Sequence, residues 1–403
     1  MAPPEIDLTV YPDECDAYGH LNQASFLSLF ERARWEMLAR GPGMDFFSRA
    51  GAWPAVRKSL VEYHAPAFPG DVLRFTQILV HFGRTSFTFR QTARRVRDDA
   101  LIATAELVFV CVNQQGAPVP VPEMLQEVMA DRELPGTLRR IAVNGVNLAV
   151  EVRGKGPAIL FIHGYPLDHT LWEHQLAHLE GWLRIAPDLR GMGQSDAPDL
   201  GYSMATYADD LFALLDALGV ERVVLCGVSM GGYIAFEMLR RTRERVRGVV
   251  LMNTRAEADT PEGRKARDVA GAKAREGGAA SVAATMLPRL LAPAALAENP
   301  ALVDRLRRMM AGTPLAGILG ALGALRDRPD CMSLLPTLAG VPVLVIAGAE
   351  DQITPKEHAQ AMADAIPGAR LVVLPGVGHL SPVERPEAAT AALADFLAAV
   401  GLG

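Results

Sequence analysis

A serine in the second half of the chain has the surroundings of a catalytic nucleophile. Residues 227–231 read GVSMG, a GxSxG motif with Ser229 at its centre. The apolar run RVVLCG before it predicts a strand, and GYIAFEMLRR after it predicts a helix. Ser229 is therefore expected on a sharp turn between the two. Because a serine hydroxyl is a poor nucleophile until a base takes its proton, the motif calls for a histidine and an orienting acid elsewhere.

Two later segments supply candidates for that base and that acid. His379 lies in GVGHLSPVERPE after the last predicted strand, and Asp351 lies in IAGAEDQITP after the preceding strand, with Glu350 as its neighbouring competitor. The chain order serine, acid, histidine is one of those used for acyl transfer. Since the carboxyl ends of parallel strands lie at one edge of a sheet, these distant residues can converge there.

Two backbone amides are candidates for an oxyanion hole. His163-Gly164-Tyr165 follows the apolar run AILFI, and Met230 follows the candidate nucleophile. In this arrangement the amides of Tyr165 and Met230 would bind the negative oxygen that forms during acyl transfer. His163 itself is expected to be a structural histidine below the site.

The first half carries a carboxylate just before a helical pattern. Asp16 lies in DECDAYGHLN, and the helical periodicity starts near Asn22. Such a carboxylate can cap the helix, or it can act as base or nucleophile on a carbonyl polarised by the helix amides. Local chemistry alone favours the capping role.

The elements around the serine alternate between strand and helix. Short Val/Ile/Leu-rich runs end in polar or glycine-rich turns, and helical segments separate them, which predicts a mostly parallel sheet covered by helices on both faces. Residues 256–336 interrupt this rhythm with Ala, Leu and Arg in a helical pattern. We expect them to form a helical lid over the carboxyl ends of the strands.

The elements around Asp16 follow another pattern. The run that starts at Asn22 puts Phe26, Leu29, Phe30, Ala33 and Met37 on one helical face and ends at Gly41. Four strand-like segments follow, within SLVEYHAP, DVLRFTQILVHF, TSFTFRQTARRV and ALIATAELVFVCVN. They predict an α+β domain with an antiparallel meander. A proline-rich stretch then marks the boundary, giving domains over residues 1–133 and 134–403.

The second half resembles the serine α/β-hydrolase superfamily. HGYPLDHTLW, APDLRGMGQSD, GVSMGGY, GAEDQITP and GVGHLSPVERP carry the resemblance in order. It is nearest to esterases, enol-lactonases and haloperoxidase-like members. It implies a triad of Ser229, His379 and Asp351, with Asp351 preferred to Glu350. Members with an aspartate nucleophile are disfavoured by Ser229.

The first half resembles hotdog-fold acyl-CoA thioesterases of the 4-hydroxybenzoyl-CoA type. The resemblance rests on DAYGHLNQASFLSLFERAR, YHAPAFPGD and the strands up to VCVN. It implies that Asp16 is catalytic, and that Gly19, His20 and Asn22 help to bind the thioester carbonyl and position water. The usual acid-Thr/Ser-acid opening reads Glu14-Cys15-Asp16 here. Because hotdog sites form between two such domains, the resemblance also implies a homodimer, or a dimer of dimers, joined through this domain.

Composition excludes several other classes of protein. The formal charge of −6 argues against a general nucleic-acid or anionic-membrane binder. The N-terminus has no signal-peptide pattern, and no uncharged apolar stretch has the length of a membrane span, so a cytoplasmic protein is expected.

His169, His174 and His178 suggest metal ligands, but their pattern is not HExxH and favours an exposed helix face. Neither a metal nor a cofactor is expected.

The sequence thus predicts a bifunctional hydrolase, with a thioesterase-like domain fused to a serine hydrolase of esters, thioesters or lactones. Its expected substrate is a small acyl ester, a lactone or an acyl-CoA. One alternative makes only the second domain catalytic and the first an acyl-binding or dimerisation module. Another is a C–C bond hydrolase or a lyase that uses the same triad.

Overall fold

The computed structural model describes residues 5–40, 43–122 and 138–400. The chain divides into two compact units, Met1–Thr137 and Leu138–Gly403. The boundary predicted between residues 133 and 134 lies outside the described residues.

The first unit is an α+β domain in which one long helix packs on an antiparallel sheet. Helix α1 spans Gln23–Arg40 and buries Phe26, Leu29, Phe30, Ala33 and Met37, the five residues that its periodicity predicts. A short helix α2 follows at Phe46–Arg49. The strands are β1 (Glu5–Thr9), β2 (Trp53–Tyr63), β3 (Val72–Phe82), β4 (Ser86–Arg95) and β5 (Ala100–Val112).

The strand order in this sheet corrects the predicted meander. The order is β1-β3-β4-β5-β2, so that β2 pairs with β5 at one edge and β1 pairs with β3 at the other. Strands β3, β4 and β5 are joined by short turns and pair in sequence, as expected of hairpins. The longer connection from β2 to β3 does not impose that pairing, which leaves the first position beside β3 to β1, a strand that the sequence analysis had missed.

The second unit contains an eight-stranded, mostly parallel sheet. Its order is β13-β12-β11-β10-β8-β9-β7-β6. The parallel strands are β8 (Ala158–Ile162), β9 (Leu183–Pro187), β10 (Val223–Val228), β11 (Val246–Met252), β12 (Val343–Gly348) and β13 (Arg370–Leu374). Strands β6 (Leu138–Val143) and β7 (Val146–Arg153) form an antiparallel hairpin at the edge. Asn144 and Gly145 turn it, both with positive φ, and this Asn-Gly pair was a hairpin signal that the sequence analysis did not use.

Helices cover this sheet and position its connections. They are α3 (Glu173–His178), α4 (Met204–Ala217), α5 (Met230–Arg241), α10 (Lys356–Ala365), α11 (Ser381–Glu384) and α12 (Pro386–Val400). Between β11 and β12 lie the four helices of the predicted lid. These are α6 (Pro261–Leu290), which is interrupted at Gly278, α7 (Pro293–Glu298), α8 (Pro300–Ala311) and α9 (Leu315–Arg326).

The lid contacts loops at the carboxyl ends of the strands. The amide of His379 donates to the carbonyl of Leu290 at 2.8 Å, and the hydroxyl of Thr313 donates to the carbonyl of Pro166 at 3.3 Å.

Within the part of the chain that the structure describes, no single helix is long and apolar enough to cross a membrane. Helices α8 and α9 have the required length and hydropathy only when they are taken together, and they meet at a sharp bend.

Candidate active site

Ser229 occupies a tight turn between β10 and α5. Its backbone has φ 54° and ψ −114°, a strained conformation that holds the side chain away from both elements. A Cβ on Gly227 would lie 2.3 Å from the carbonyl oxygen of Gly231, and a Cβ on Gly231 would lie 2.1 Å from that of Ile162. The turn can therefore form only with glycine at both flanking positions. Ser229 itself stays partly exposed.

His379 and Asp351 form a buried pair. Nδ1 of His379 lies 2.8 Å from Oδ2 and 3.0 Å from Oδ1 of Asp351, and both side chains are almost completely buried. The neighbouring Glu350, the alternative acid, is exposed. Of the two candidates, the structure thus brings Asp351 to the histidine.

The Asp351 carboxylate is held in its ionised form. Burial alone would raise its pKa, but the charge and hydrogen bond of His379, with the amide of Thr354 and the side chain of Asn253, lower the pKa to about 2. Oδ1 accepts from the amides of Ile353 and Thr354 at 2.8 and 2.9 Å. Because the carboxylate is an acceptor only, Nδ1 of His379 donates to it, and this leaves Nε2 free to accept a proton.

Ser229 lies on the same sheet edge as this pair. It follows β10, Asn253 follows β11, Asp351 follows β12 and His379 follows β13, and these four strands are consecutive neighbours in the sheet. The hydroxyl of Thr254 donates to the carbonyl of Ser229 at 2.8 Å. Within the described residues the Ser229 hydroxyl makes no hydrogen bond; in many enzymes the contact to the base tightens only in the substrate complex.

The two predicted oxyanion amides are free and close to the serine. A Cβ on Gly164 would lie 3.2 Å from the Cβ of Ser229, so the loop after β8 packs directly against the nucleophile turn. Among the described residues the amides of Tyr165 and Met230 have no backbone hydrogen-bond partner. Met230 begins α5, where helix amides lack an acceptor and favour negative charge.

His163 has a structural role in this loop. It is completely buried, its Nε2 accepts from the amide of Leu189 at 2.9 Å, and its Nδ1 lies 2.9 Å from the carbonyl oxygen of Gly164. Burial lowers its pKa, which keeps the ring neutral. Both ring nitrogens are occupied, in agreement with the structural role expected from the sequence.

Sequence reasoning missed two polar residues that support the pair. Asn253 is buried and donates to Oδ2 of Asp351 at 3.0 Å and to the carbonyl of Gly378 at 3.1 Å. Glu384 accepts from the amides on both sides of His379, those of Gly378 and Leu380, each at 3.0 Å. The same carboxylate accepts from the lid amide of Ala292 at 2.7 Å. Glu384 lies in the segment GVGHLSPVERPE together with His379, but its position in the sequence did not indicate these hydrogen bonds.

In the first unit, Asp16 organises its own loop and does not cap α1. Its Oδ1 accepts from the amides of Tyr18 and His20 at 2.9 and 3.1 Å. Asn22 is the residue that caps the helix, because its Oδ1 accepts from the amide of Ala24 at 2.8 Å. The capping role favoured by local chemistry was therefore wrong for Asp16.

The other predicted binding residues of the first unit lie in the same loop. Gly19 has φ 76°, a left-handed conformation that glycine adopts without strain, and it brings the chain back so that the amide of Asp16 donates to the carbonyl of His20 at 2.8 Å. The His20 ring packs edge-on against Phe68 with ring centroids 5.2 Å apart. Asp16 is half-buried, whereas His20 and Asn22 are exposed.

The histidines considered as metal ligands do not form one cluster. His174 and His178 stack on each other with centroids 4.0 Å apart. His169 instead joins Asp168 and Asp188, whose potential ligand atoms lie within 4.8 Å of one another. Protein donors already use these acceptors, since Oδ1 of Asp188 accepts from the amide of His169 at 2.8 Å and Oδ1 of Asp168 accepts from that of Thr170 at 2.9 Å. This arrangement is a hydrogen-bonded network that fixes the loops after β8 and β9.

Two family models match the chain in succession. Residues 157–386 match the model of the α/β hydrolase fold, and residues 10–129 match that of the thioesterase-like superfamily. Both resemblances drawn from the sequence motifs are thereby confirmed.

Individual relatives match the larger unit. An esterase from Thermogutta terrifontis is 37% identical, with a TM-score of 0.63, and its alignment covers 66% of this chain and 100% of that one. The enol-lactonase of Burkholderia xenovorans is 30% identical, with a TM-score of 0.61, covering 64% of this chain and 100% of that one. The 3-oxoadipate enol-lactonase 2 of Acinetobacter baylyi is 30% identical over 247 residues, covering 60% of this chain and 89% of that protein.

Proposed function

Because the chain belongs to the α/β-hydrolase family, we propose that its second unit is a serine hydrolase of carboxylic esters, thioesters or lactones. Ser229 attacks the carbonyl carbon, and Nε2 of His379 takes the hydroxyl proton. Asp351 stabilises the imidazolium that results. The amides of Tyr165 and Met230 bind the oxyanion. His379 then returns the proton to the leaving group, and water, activated by the same base, hydrolyses the acyl-enzyme.

The observation that carries this proposal is the buried contact between His379 Nδ1 and the ionised Asp351, 2.8 Å long, on the sheet edge that also carries Ser229. This contact leaves the other ring nitrogen able to accept a proton. The esterase and enol-lactonase relatives support acyl transfer from an ester or lactone. A lyase or C–C hydrolase would use the same three residues and is an outcome of the substrate test.

Kinetics on a panel of 4-nitrophenyl esters, lactones, acyl-CoAs and β-diketones, the last of which report carbon–carbon bond cleavage, test the proposal. Ser229→Ala removes the nucleophile and is expected to lower kcat for the preferred ester by about 10⁴-fold or more. Ser333→Ala, which truncates an exposed serine after the lid helices, is the matched control and should retain wild-type activity. Equal ester hydrolysis by Ser229→Ala and wild type contradicts the proposal. Cleavage of a carbon–carbon bond without ester cleavage favours the alternative.

We also propose that the first unit hydrolyses acyl-CoA thioesters through Asp16. Its match to the thioesterase-like superfamily and the half-buried position of the carboxylate support this role. Asp16 would activate water or attack the thioester directly, and the thiolate leaves without acid assistance. Fusion of the two units is consistent with both acting on one acyl pathway.

Release of free CoA, measured with a thiol reagent, separates the two units. Asp16→Asn keeps the side-chain shape but removes its charge. In a Ser229→Ala background, where the second unit cleaves no thioester, it is expected to abolish CoA release, and as a single variant it should spare Ser229-dependent ester cleavage. Asp13→Asn, an exposed carboxylate of the same segment, is the control. If CoA release ignores Asp16 and follows Ser229, the first unit is an acyl-binding or dimerisation module.

We propose that the protein assembles as a homodimer, or as a dimer of dimers, joined through the first unit. Strand β2 has 11 residues at the sheet edge, pairs only with β5 among the described residues, and is exposed over most of its length. Val56, Leu60 and Tyr63 on it are 50%, 53% and 44% exposed. A long edge strand with apolar side chains is a template for pairing with a second copy across a twofold axis.

A further inference from the structure

The lid is bonded directly to the loop that carries His379. The amide of His379 donates to the carbonyl of Leu290, the last residue of α6, at 2.8 Å. Oε2 of Glu384 accepts from the lid amide of Ala292 at 2.7 Å and from the amide of Gly378 at 3.0 Å. Hydrogen bonds thus connect lid residues 290–292, which we call the lid segment, to the backbone at the candidate base.

Gly378 lets the lid segment and the histidine loop pack backbone against backbone. A Cβ on Gly378 would lie 2.6 Å from the nitrogen of Ala292 and 2.7 Å from the carbonyl carbon of Leu291. Only glycine allows so close an approach. Because packed protein segments are not compressible, a displacement of the lid segment is transmitted to His379.

The helix that ends at the lid segment also forms much of the wall of a cavity of about 350 Å³. Arg289, which lines this cavity, immediately precedes Leu290. Ile353 lines it as well, and its amide donates to Oδ1 of Asp351 at 2.8 Å. The wall is therefore connected to both members of the His379–Asp351 pair.

The cavity is suited to the acyl chain of an ester. Val282, Met286 and Leu322 give it an apolar wall. Tyr165, whose amide is a candidate oxyanion donor, also lines it. The loop of Tyr165 packs against the Ser229 turn, so a chain in the cavity can belong to an ester whose carbonyl lies at the nucleophile.

Helix α6 consists of two arms that are anchored separately. Gly278, between them, has φ 65° and ψ −169°, a conformation nearly restricted to glycine. The first arm, residues 261–277, is tied to α9 by the ion pair of Asp268 and Arg326 at 2.9 Å. Ala283 and Leu287 of the second arm, residues 279–290, share a hydrophobic cluster with buried residues of α8. The second arm can therefore shift without the first.

We propose that the lid positions His379 in response to the acyl chain. A chain that fills the cavity fixes the second arm, and the lid segment with Glu384 then holds His379 in line with Ser229. Ala292 and Gly378 are positioning residues in this process. The binding energy of the chain then appears as a higher kcat, because it orders a catalytic group. This inference rests on the proposed serine-hydrolase function and adds a role for the lid.

Two esters with the same leaving group test the inference in the full-length protein. 4-Nitrophenyl hexanoate fills more of the cavity than 4-nitrophenyl acetate, and we call the ratio of their kcat values the chain effect. The wild-type chain effect is expected to be at least tenfold. A lid that only bound the chain would lower KM and leave kcat unchanged.

Ala292→Pro removes the amide that donates to Glu384. Ala292 has φ −61°, and Leu291 before it is extended with ψ 151°, so proline fits this backbone. The variant is expected to lower the chain effect at least fivefold. Ala292→Gly retains the amide and should keep the wild-type chain effect. Leu315→Pro, at the first position of lid helix α9, where helices tolerate proline, is the control and should also keep it.

A second pair of variants serves if Ala292→Pro does not fold. A Cβ on Gly278 would meet no atom within 4 Å, so Gly278→Ala strains only the backbone of the break and displaces the second arm. It is expected to lower the chain effect at least threefold. Gly323→Ala adds the same methyl group in open space within helix α9, and it should keep the wild-type chain effect.

Three results overturn the inference. The first is a wild-type chain effect below tenfold, and the second is a smaller loss than stated in a folded Ala292→Pro or Gly278→Ala protein. The third is an equal loss in these variants and in their controls. Failure of the serine-hydrolase function itself has a different signature, because Ser229→Ala would then hydrolyse both esters as fast as wild type.

Discussion

Replacing Asp351 by asparagine changes the tautomer of His379 with almost no change in shape. The asparagine oxygen would keep the amides of Ile353 and Thr354, which donate to Oδ1 at 2.8 and 2.9 Å. Its NH₂ group would then replace Oδ2 and face both His379 Nδ1 and the donor NH₂ of Asn253. An amide that donates to Nδ1 forces the ring proton onto Nε2, where it blocks acceptance of the serine proton.

The pKa of Asp351 gives the size of the accompanying change in stability. The pKa lies at about 2 in the folded protein, against about 3.9 for a free side chain, and this difference corresponds to roughly 2–3 kcal/mol in favour of the ionised form. Because the folded-state pKa is lowered, this stabilisation is present above pH 4 and is lost as the pH falls from about 4 to about 2. Asp351→Asn is expected to lower the free energy of unfolding by about that amount at pH 7 and to remove this acid-dependent component.

Steady-state kinetics and urea unfolding measure the two effects separately. Asp351→Asn is expected to lower kcat for the preferred ester by roughly 10³- to 10⁴-fold, the loss that a wrong histidine tautomer causes in comparable triads. Glu350→Gln changes the exposed neighbouring carboxylate and should be indistinguishable from wild type. Full activity in Asp351→Asn, or a large loss in Glu350→Gln, would refute the reasoning.

Two further changes test the supporting structure. Glu384→Gln turns one acceptor oxygen into a donor that faces the amides beside His379, so kcat is expected to fall at least tenfold with a smaller change in KM. Glu387→Gln, at a side chain that is 81% exposed, is the control and should have no effect. Equal kinetics for both variants would exclude a positioning role for Glu384. Leu60→Asp on β2 is expected to yield monomers at micromolar concentration in light scattering. Leu200→Asp, at a leucine of the second unit that is 83% exposed, is the control and should leave the assembly intact. A wild-type protein that is itself monomeric would contradict the proposed dimer.

Local sequence patterns were sufficient to predict the elements that carry the candidate catalytic residues. The buried face of α1 follows from a 3.6-residue apolar period, and the buried parallel strands follow from continuous Val/Ile/Leu runs. The positions of Ser229, Asp351 and His379 at one sheet edge then follow from the parallel topology.

Features that depend on long-range pairing could not be predicted in this way. Strand β2 lies at the sheet edge beside β5 because the other strands leave that edge of β5 unpaired. No local sequence pattern encodes this position. Asn253 and Glu384 look like ordinary loop residues in the sequence. Their importance arises from hydrogen bonds to segments far away in the chain.

Covalent labelling of Ser229 tests the central claim most directly. A fluorophosphonate probe reacts with a serine hydroxyl that a neighbouring base activates, and fluoride leaves as the phosphorus–oxygen bond forms. Peptide mass spectrometry of the labelled wild-type protein is expected to place the adduct on Ser229, and Ser229→Ala is expected to remain unlabelled. Undiminished labelling of Ser229→Ala, or an adduct at another serine of the wild-type protein, would contradict the account.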